Sequence, residues 1–171
     1  MSAILVYGDT MRNPAMRHEV PLAIPDPFVY AEVDGRRIVA ISSMEGVRVE
    51  ELGTGLEVRP LEEFGADEIR KSGVDLYTAV KELVVRIVQG LGIEQATVPR
   101  AFPLEFADVL RDRGVELTVD QKHFDDRRRR KSGHELEGIR RAQKAAEAGA
   151  ATARDVLRRA ERVNGGLSFE G

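Results

Sequence analysis

The sequence contains no cysteine. That excludes disulfides and thiolate metal sites, and it is compatible with a reducing compartment, so a cytoplasmic location is the expectation. No apolar run approaches the ~18 residues a membrane helix needs. The opening residues, Met1 to Tyr7, have no basic flank and too short an apolar stretch for a signal peptide. Histidine is scarce: His18, His123 and His134 are the only ones, and none sits in a His-Glu-x-x-His or other recognisable metal spacing. Gly53-Thr54-Gly55 lacks the spacing and the lysine of a phosphate-binding loop, and no Gly-x-Ser-x-Gly turn is present. A net charge of −3 argues against a dedicated nucleic-acid binder.

What remains is enough for a core. The 171 residues are 42% hydrophobic, which fits one domain with an appendage. Ile4-Leu5-Val6-Tyr7 reads as a buried strand. Thr10 to Asp26, with three prolines, reads as a long loop. Phe28–Val33, Asp34-Gly35 and Arg36–Ile41 form a hairpin, because Asp-Gly supplies the two positive φ values of a type I′ turn. Glu45 to Leu52 is expected to be a short helix with Val47, Val49 and Leu52 partly inward. Leu56 to Pro60 is an edge strand, since proline cannot donate to a ladder. Asp75 caps a helix whose Leu76, Val80, Leu83, Val84, Ile87, Val88 and Leu91 share one face. A strand at Ala96–Val98, a helix from Pro103 to Leu110 and a strand at Val115–Val119 follow. A hairpin followed by alternating strands and helices implies a mixed sheet with helices on its faces.

The candidates for chemistry are few. His123 with Asp125 and Asp126 is a conceivable ion site, and a solvated loop is the ordinary reading of the same residues. Glu50-Glu51, Glu62-Glu63 and Asp125-Asp126 are adjacent pairs that do not face one another on a helix. Asp9, Asp34 and Asp120 are the acids a nuclease reading of such a sheet would draw on. Arg127 to Lys131 is a basic run without interleaved aromatics, expected to stay wet between elements.

Ser132 and Glu135 form a capping box, and the pattern beyond them is helical for about eight turns, through Asn164. Ile139, Ala142, Ala146, Gly149, Ala153, Val156, Ala160 and Val163 line one narrow seam of mostly small residues. Asn164-Gly165-Gly166 reads as the stop.

At this junction the residues resemble a known family. Asp126 to Ser132, followed by Glu135-Leu136-Glu137-Gly138-Ile139-Arg140-Arg141-Ala142, is similar to the run that leads into the catalytic domain of prolidases, aminopeptidases P and creatinase. Pro27-Phe28 through Asp34-Gly35 to Glu45, Leu91-Gly92-Ile93 to Pro99, and Phe102-Pro103-Leu104 to Val115 agree in order. The resemblance implies a three-layer α/β domain with a mixed, ribonuclease-H-like sheet, of the creatinase N-terminal kind. It places that domain at 1–124 and a basic junction with a long connecting helix at 125–171.

In that family the domain is not catalytic; it assembles dimers and covers a neighbour's active site. Catalysis on Xaa-Pro peptides belongs to a further domain holding two divalent ions (manganese, cobalt or zinc), and no metal, cofactor or catalytic residue carries over to this chain. The family's Asn-x-x-Tyr-[Leu/Phe]-x-Gly loop corresponds to Asn13–Glu19 but keeps only the Asn, leaving Arg17 and His18 as the candidates for reaching a partner's site. The expected partners are the chain's own catalytic domain, a second copy in a homodimer and a proline-containing peptide, with neither membrane nor nucleic acid. A stand-alone protein-interaction module of the same fold is the alternative.

Overall fold

Strict alternation in the first three strands decides the layers. The computed structural model describes residues 3–169, without the side chain of Val163. In β1 (Ala3–Gly8), Ala3 and Leu5 face one way and Ile4 and Val6 the other, and all four are buried. The hairpin partners β2 (Phe28–Val33) and β3 (Arg36–Ile41) repeat the pattern: Val29, Ala31 and Ala40 on the first face, Phe28, Tyr30, Val39 and Ile41 on the second. A strand buried on both faces needs a layer of helices on each side. The turn between β2 and β3 has Asp34 at φ 50° and Gly35 at φ 76°, the type I′ pair the sequence predicts.

The remaining elements follow in order. Helix α1 is Pro14–Glu19, α2 Ser43–Glu50, β4 Glu57–Pro60, then a single turn of 3-10 helix at Leu61–Phe64. Helices α3 (Ala66–Lys71) and α4 (Leu76–Gly90) lead to β5 (Gln95–Val98), α5 (Leu104–Asp112) and β6 (Glu116–Val119). Helices α6 (Gln121–Arg129) and α7 (Gly133–Arg159) precede a small hairpin, β7 (Glu161–Val163) and β8 (Gly166–Ser168). The six-stranded sheet has the order β4-β3-β2-β1-β5-β6. Strands β1, β2 and β3 pair antiparallel; β3–β4, β1–β5 and β5–β6 pair parallel. On one face pack α4 and α5, through Val84, Ile87, Val88, Phe106 and Leu110. On the other pack α1, α2 and α6, through Met16, Val49 and Phe124. The three-layer mixed α/β fold with a long helix near the C-terminus is therefore observed. Residues 1–130 and 131–171 form two compact units.

Several local expectations need correction. The segment 10–26 is not all loop. Asn13 caps α1 by accepting from the N–H groups of Ala15 (3.0 Å) and Met16 (3.2 Å), and Pro14 occupies the first helical position, where no N–H is required. In α2 Gly46 and Val49 turn inward, and Val47 is 56% exposed. In α4 the apolar face begins at Val80, and Leu76 stands 80% exposed. The terminal helix ends at Arg159, not Asn164. Ala160 turns extended (ψ 136°), and Asn164 (φ 50°) with Gly165 (φ 84°) forms the turn of the β7–β8 hairpin. Positive φ at Asn-Gly suits both a helix stop and a type I′ turn, and pairing of Glu161–Val163 with Gly166–Ser168 selects the turn. The small-residue seam is thus shorter than expected: Ala160 caps the helix and Val163 lies in β7. No residue of α7 is buried.

Candidate functional site

The most organised polar cluster joins α1, β2, β3 and α6. It begins with the short helix α1, which Met16 and Ala15 anchor in the core, so its last residue, Glu19, must turn inward. The Glu19 side chain is 7% exposed. The Tyr30 hydroxyl donates to it at 3.0 Å, and Nε of Arg127 donates to it at 2.8 Å. The second arm of the Arg127 fork, Nη2, donates to Glu32 at 2.8 Å. Arg37 donates to the Glu19 carbonyl at 3.3 Å and approaches the Tyr30 oxygen at 3.4 Å. Two carboxylates, two guanidiniums and a phenol therefore balance one another.

The electrostatics fix the protons. Burial first, then the Glu19 charge, pushes the Tyr30 phenol far above its ordinary range. Burial opposes the charge on Arg127, but the bonds and attraction of Glu19 and Glu32 outweigh it and raise its pKa. The same opposition holds at Arg37, where Tyr30 and Glu19 prevail. Groups that keep their protons over the ordinary pH range make a clamp, not a proton relay. The clamp docks α6 on the sheet beside buried Phe124.

The basic run is therefore not all solvated spacer. Arg127 to Arg129 form the last turn of α6, favourably placed at a helix C-terminus. His123, Asp125 and Asp126 lie on the same helix and do not assemble an ion site. Asp125 accepts from Gln121 at 2.9 Å, and Asp126 is held by Lys122. Hydrogen bonding to Lys122 keeps the Asp126 carboxyl below the usual range. Asp9 accepts from the N–H groups of Met11 (2.8 Å) and Arg12 (2.7 Å); Asp120 caps α6 through the His123 N–H at 3.0 Å. Asp34 lies in the β2–β3 turn, at the end of the sheet opposite Asp9. Among the described residues no group of three or more His, Asp or Glu is placed to hold a metal ion. Arg17 and His18 occupy the last turn of α1, both half-buried. The capping box at α7 forms as expected: Ser132 Oγ accepts from the Glu135 N–H at 3.2 Å, and Glu135 accepts from the Ser132 N–H at 2.7 Å.

A second feature lies around the first turns of α4. A cavity of about 320 Å³ runs between α3 and α4, lined by Ile69, Val74, Leu76 and Val80 among others. Another, of about 450 Å³, opens on the other side, between α4, α5 and the carboxyl end of β1. In an open α/β sheet the crevice outside the carboxyl ends of parallel strands is where ligands commonly sit. Its walls include Tyr7, Tyr77, Glu105 and Phe106, and the Tyr7 and Phe106 rings pack 4.4 Å apart. Sequence reading found neither the clamp nor this cavity. Glu19, Glu32, Tyr30 and Arg127 carry no spacing that links them, and Tyr7 and Glu105 are nearly a hundred residues apart.

No family model matches the chain, and comparison with curated protein sequences finds no match. Solved structures do share the fold. An X-Pro aminopeptidase from Thermotoga maritima MSB8 superposes with a TM-score of 0.60 at 14% identity, covering 91% of this chain and 41% of its own. A prolidase from Pyrococcus furiosus gives 0.58 at 12% identity, covering 91% of this chain and 39% of its own. The aminopeptidase P from Streptococcus thermophilus gives 0.50 at 13% identity, over 75% of this chain and 85% of that one. The fold of the creatinase N-terminal type, expected from the junction residues, is the fold observed. It occupies only part of the Thermotoga and Pyrococcus chains.

Proposed function

We propose that this chain is the non-catalytic N-terminal domain of a dinuclear metallopeptidase acting on Xaa-Pro peptides, serving to build a homodimer and to cover a neighbouring active site. One observation carries the proposal: 91% of the chain shares its fold with about two-fifths of an X-Pro aminopeptidase and of a prolidase. The junction sequence from Asp126 to Ala142, with its capping box, supports it independently of the fold. The two divalent ions that such peptidases use would sit in the remaining part of the parent protein. The residues described here do not group to hold them, so no step of the reaction is assigned to this chain.

On this reading the clamp keeps the domain rigid and helix α7 leads toward the catalytic part. Arg17 and His18, half-buried in the last turn of α1, are on this reading the side chains that reach a partner's site. The setting is cytoplasmic.

Incubating the 171-residue chain with Xaa-Pro dipeptides and longer Xaa-Pro peptides, with manganese or cobalt, should give no turnover above blank. Turnover would refute the proposal.

A second reading is a stand-alone protein-interaction module of the same fold, with α7, none of whose residues is buried, as its contact surface. The mass of the native protein in cell extract separates the two. A species near 19.0 kDa identifies the module; one two to three times larger identifies the peptidase domain.

A further inference from the structure

The cavity at the carboxyl end of β1 has a chemical character that the reading above does not use. Its volume of about 450 Å³ lies within the range of small-ligand pockets. Its walls are apolar and aromatic: Leu76, Val80, Pro103, Phe106, Tyr7 and Tyr77. Leu76 and Tyr77 form its rim and are 80% and 55% exposed. One charged group lines it, Glu105, in the first turn of α5. Glu105 Oε2 is shielded from water and has no hydrogen-bond partner among the described residues.

With one oxygen closed to water and to donors the half-buried Glu105 carboxylate is under-solvated, and a cation that brings its own N–H groups to its cavity side relieves it. Aromatic faces attract cations as well; the Lys81 ammonium, 4.2 Å from the centre of the Tyr77 ring, occupies one face of it and has to give way where a ligand's cation uses that face. Burial first, and then the Glu105 charge, raises the pKa of the Tyr7 phenol. The hydroxyl therefore stays protonated and adds no competing anion to the cavity.

We infer that this cavity binds an organic cation, an amine or guanidinium carried on an apolar body, with Glu105 as its anion and Tyr77 and Phe106 as its walls. Anionic ligands of the same shape are rejected, because they would bring a second negative charge beside Glu105. The cation could be a free small amine or the basic side chain of a bound peptide, and the two sources present the same chemistry to the cavity.

The test is a titration of the ¹⁵N-labelled 171-residue chain followed by amide shifts. The probes are phenethylamine, acetyl-Phe-Arg-amide and 3-phenylpropionate. Saturable shifts should appear at Tyr77, Glu105 and Phe106 with at least one cationic probe and not with 3-phenylpropionate. Binding of phenethylamine alone identifies a small-amine site; binding of the peptide alone identifies a site for a basic side chain. Glu105→Gln should weaken the cationic probe about tenfold or more while leaving the remaining spectrum in place. Tyr77→Ala, at an exposed position, should weaken it without affecting folding. Equal response to 3-phenylpropionate, shifts confined to other surfaces, or unchanged affinity in both variants would overturn the inference. None of these outcomes bears on peptidase parentage, which the turnover and mass experiments decide.

Discussion

Replacing Arg127 by alanine is the sharpest probe of how α6 is held. The guanidinium spans two carboxylates, Glu19 and Glu32, at 2.8 Å each. Removing one partner of a fully buried pair costs about 3–5 kcal/mol, because the other charge is left uncompensated. Here Glu19 is 7% exposed, but Arg127 is 26% and Glu32 30% exposed, so water recovers part of the loss. Glu19 also keeps the Tyr30 hydroxyl and the more distant Arg37. Scaled for these, Arg127→Ala should cost about 2–3 kcal/mol. With a urea m-value of about 1–3 kcal/mol/M, the midpoint should fall by roughly 0.7–3 M. Arg127→Lys keeps the charge but not the planar fork, and should lose about half as much. Tyrosine fluorescence is a suitable readout, since Tyr7, Tyr30 and Tyr77, the only tyrosines, all lie in the first unit and α7 contributes nothing to the signal. A loss below about 0.5 kcal/mol, the worth of an ordinary surface ion pair, would refute the argument that this clamp holds the helix.

Gly35→Ala should lower stability by about 1–2 kcal/mol, because φ is 76° there and a Cβ strains the left-handed turn. Gly138→Ala should do the opposite in thermal melts of the second unit, raising helix stability by about 0.5–1 kcal/mol, since the added Cβ meets nothing within 4 Å. Tyr30 should stay un-ionised in ultraviolet titration at pH values where a free tyrosine, with pKa near 10, has ionised. A folded-state pKa raised above the unfolded one gives stability that is present below pH 10 and lost as pH rises beyond it, and Tyr30→Phe should remove that alkaline dependence. At the acid end, hydrogen bonds from Thr78 hold the Asp75 carboxyl below its ordinary range. The contribution of that cap is present above the unfolded value and lost as pH falls through the folded one. Protection factors of the Tyr77 and Thr78 amides, the intrinsic exchange rate divided by the observed rate at the same pH, should therefore fall in acid, and in Asp75→Asn they should no longer depend on pH in that window.

Local chemistry was sufficient wherever one turn or one strand decides the outcome. Asp34-Gly35 admits the positive φ values a tight hairpin requires, Asp75 places the start of α4, and Ser132 with Glu135 starts α7. Apolar residues on both faces of β1 already demanded a layer on each side. The order of elements, read with the junction run, led to the three-layer mixed sheet. Where one signal serves two structures, sequence was not enough: Asn164-Gly165 suits a helix stop and a hairpin turn alike, and only the pairing of the flanking strands chose between them. Asn13-Pro14 opened a helix inside a segment whose prolines suggested loop.

Tertiary structure alone made the clamp and the cavity. A basic run looks the same whether water or a carboxylate faces it, and Arg127 meets Glu19 across 108 positions of chain. Glu105 likewise comes beside Tyr7 only because β1 pairs with β5 and α5 packs back across them. Hydrophobic periodicity fixes which side of an element is buried. Which charges then meet at its end depends on how the buried sides stack, and that is settled by packing over the whole sheet.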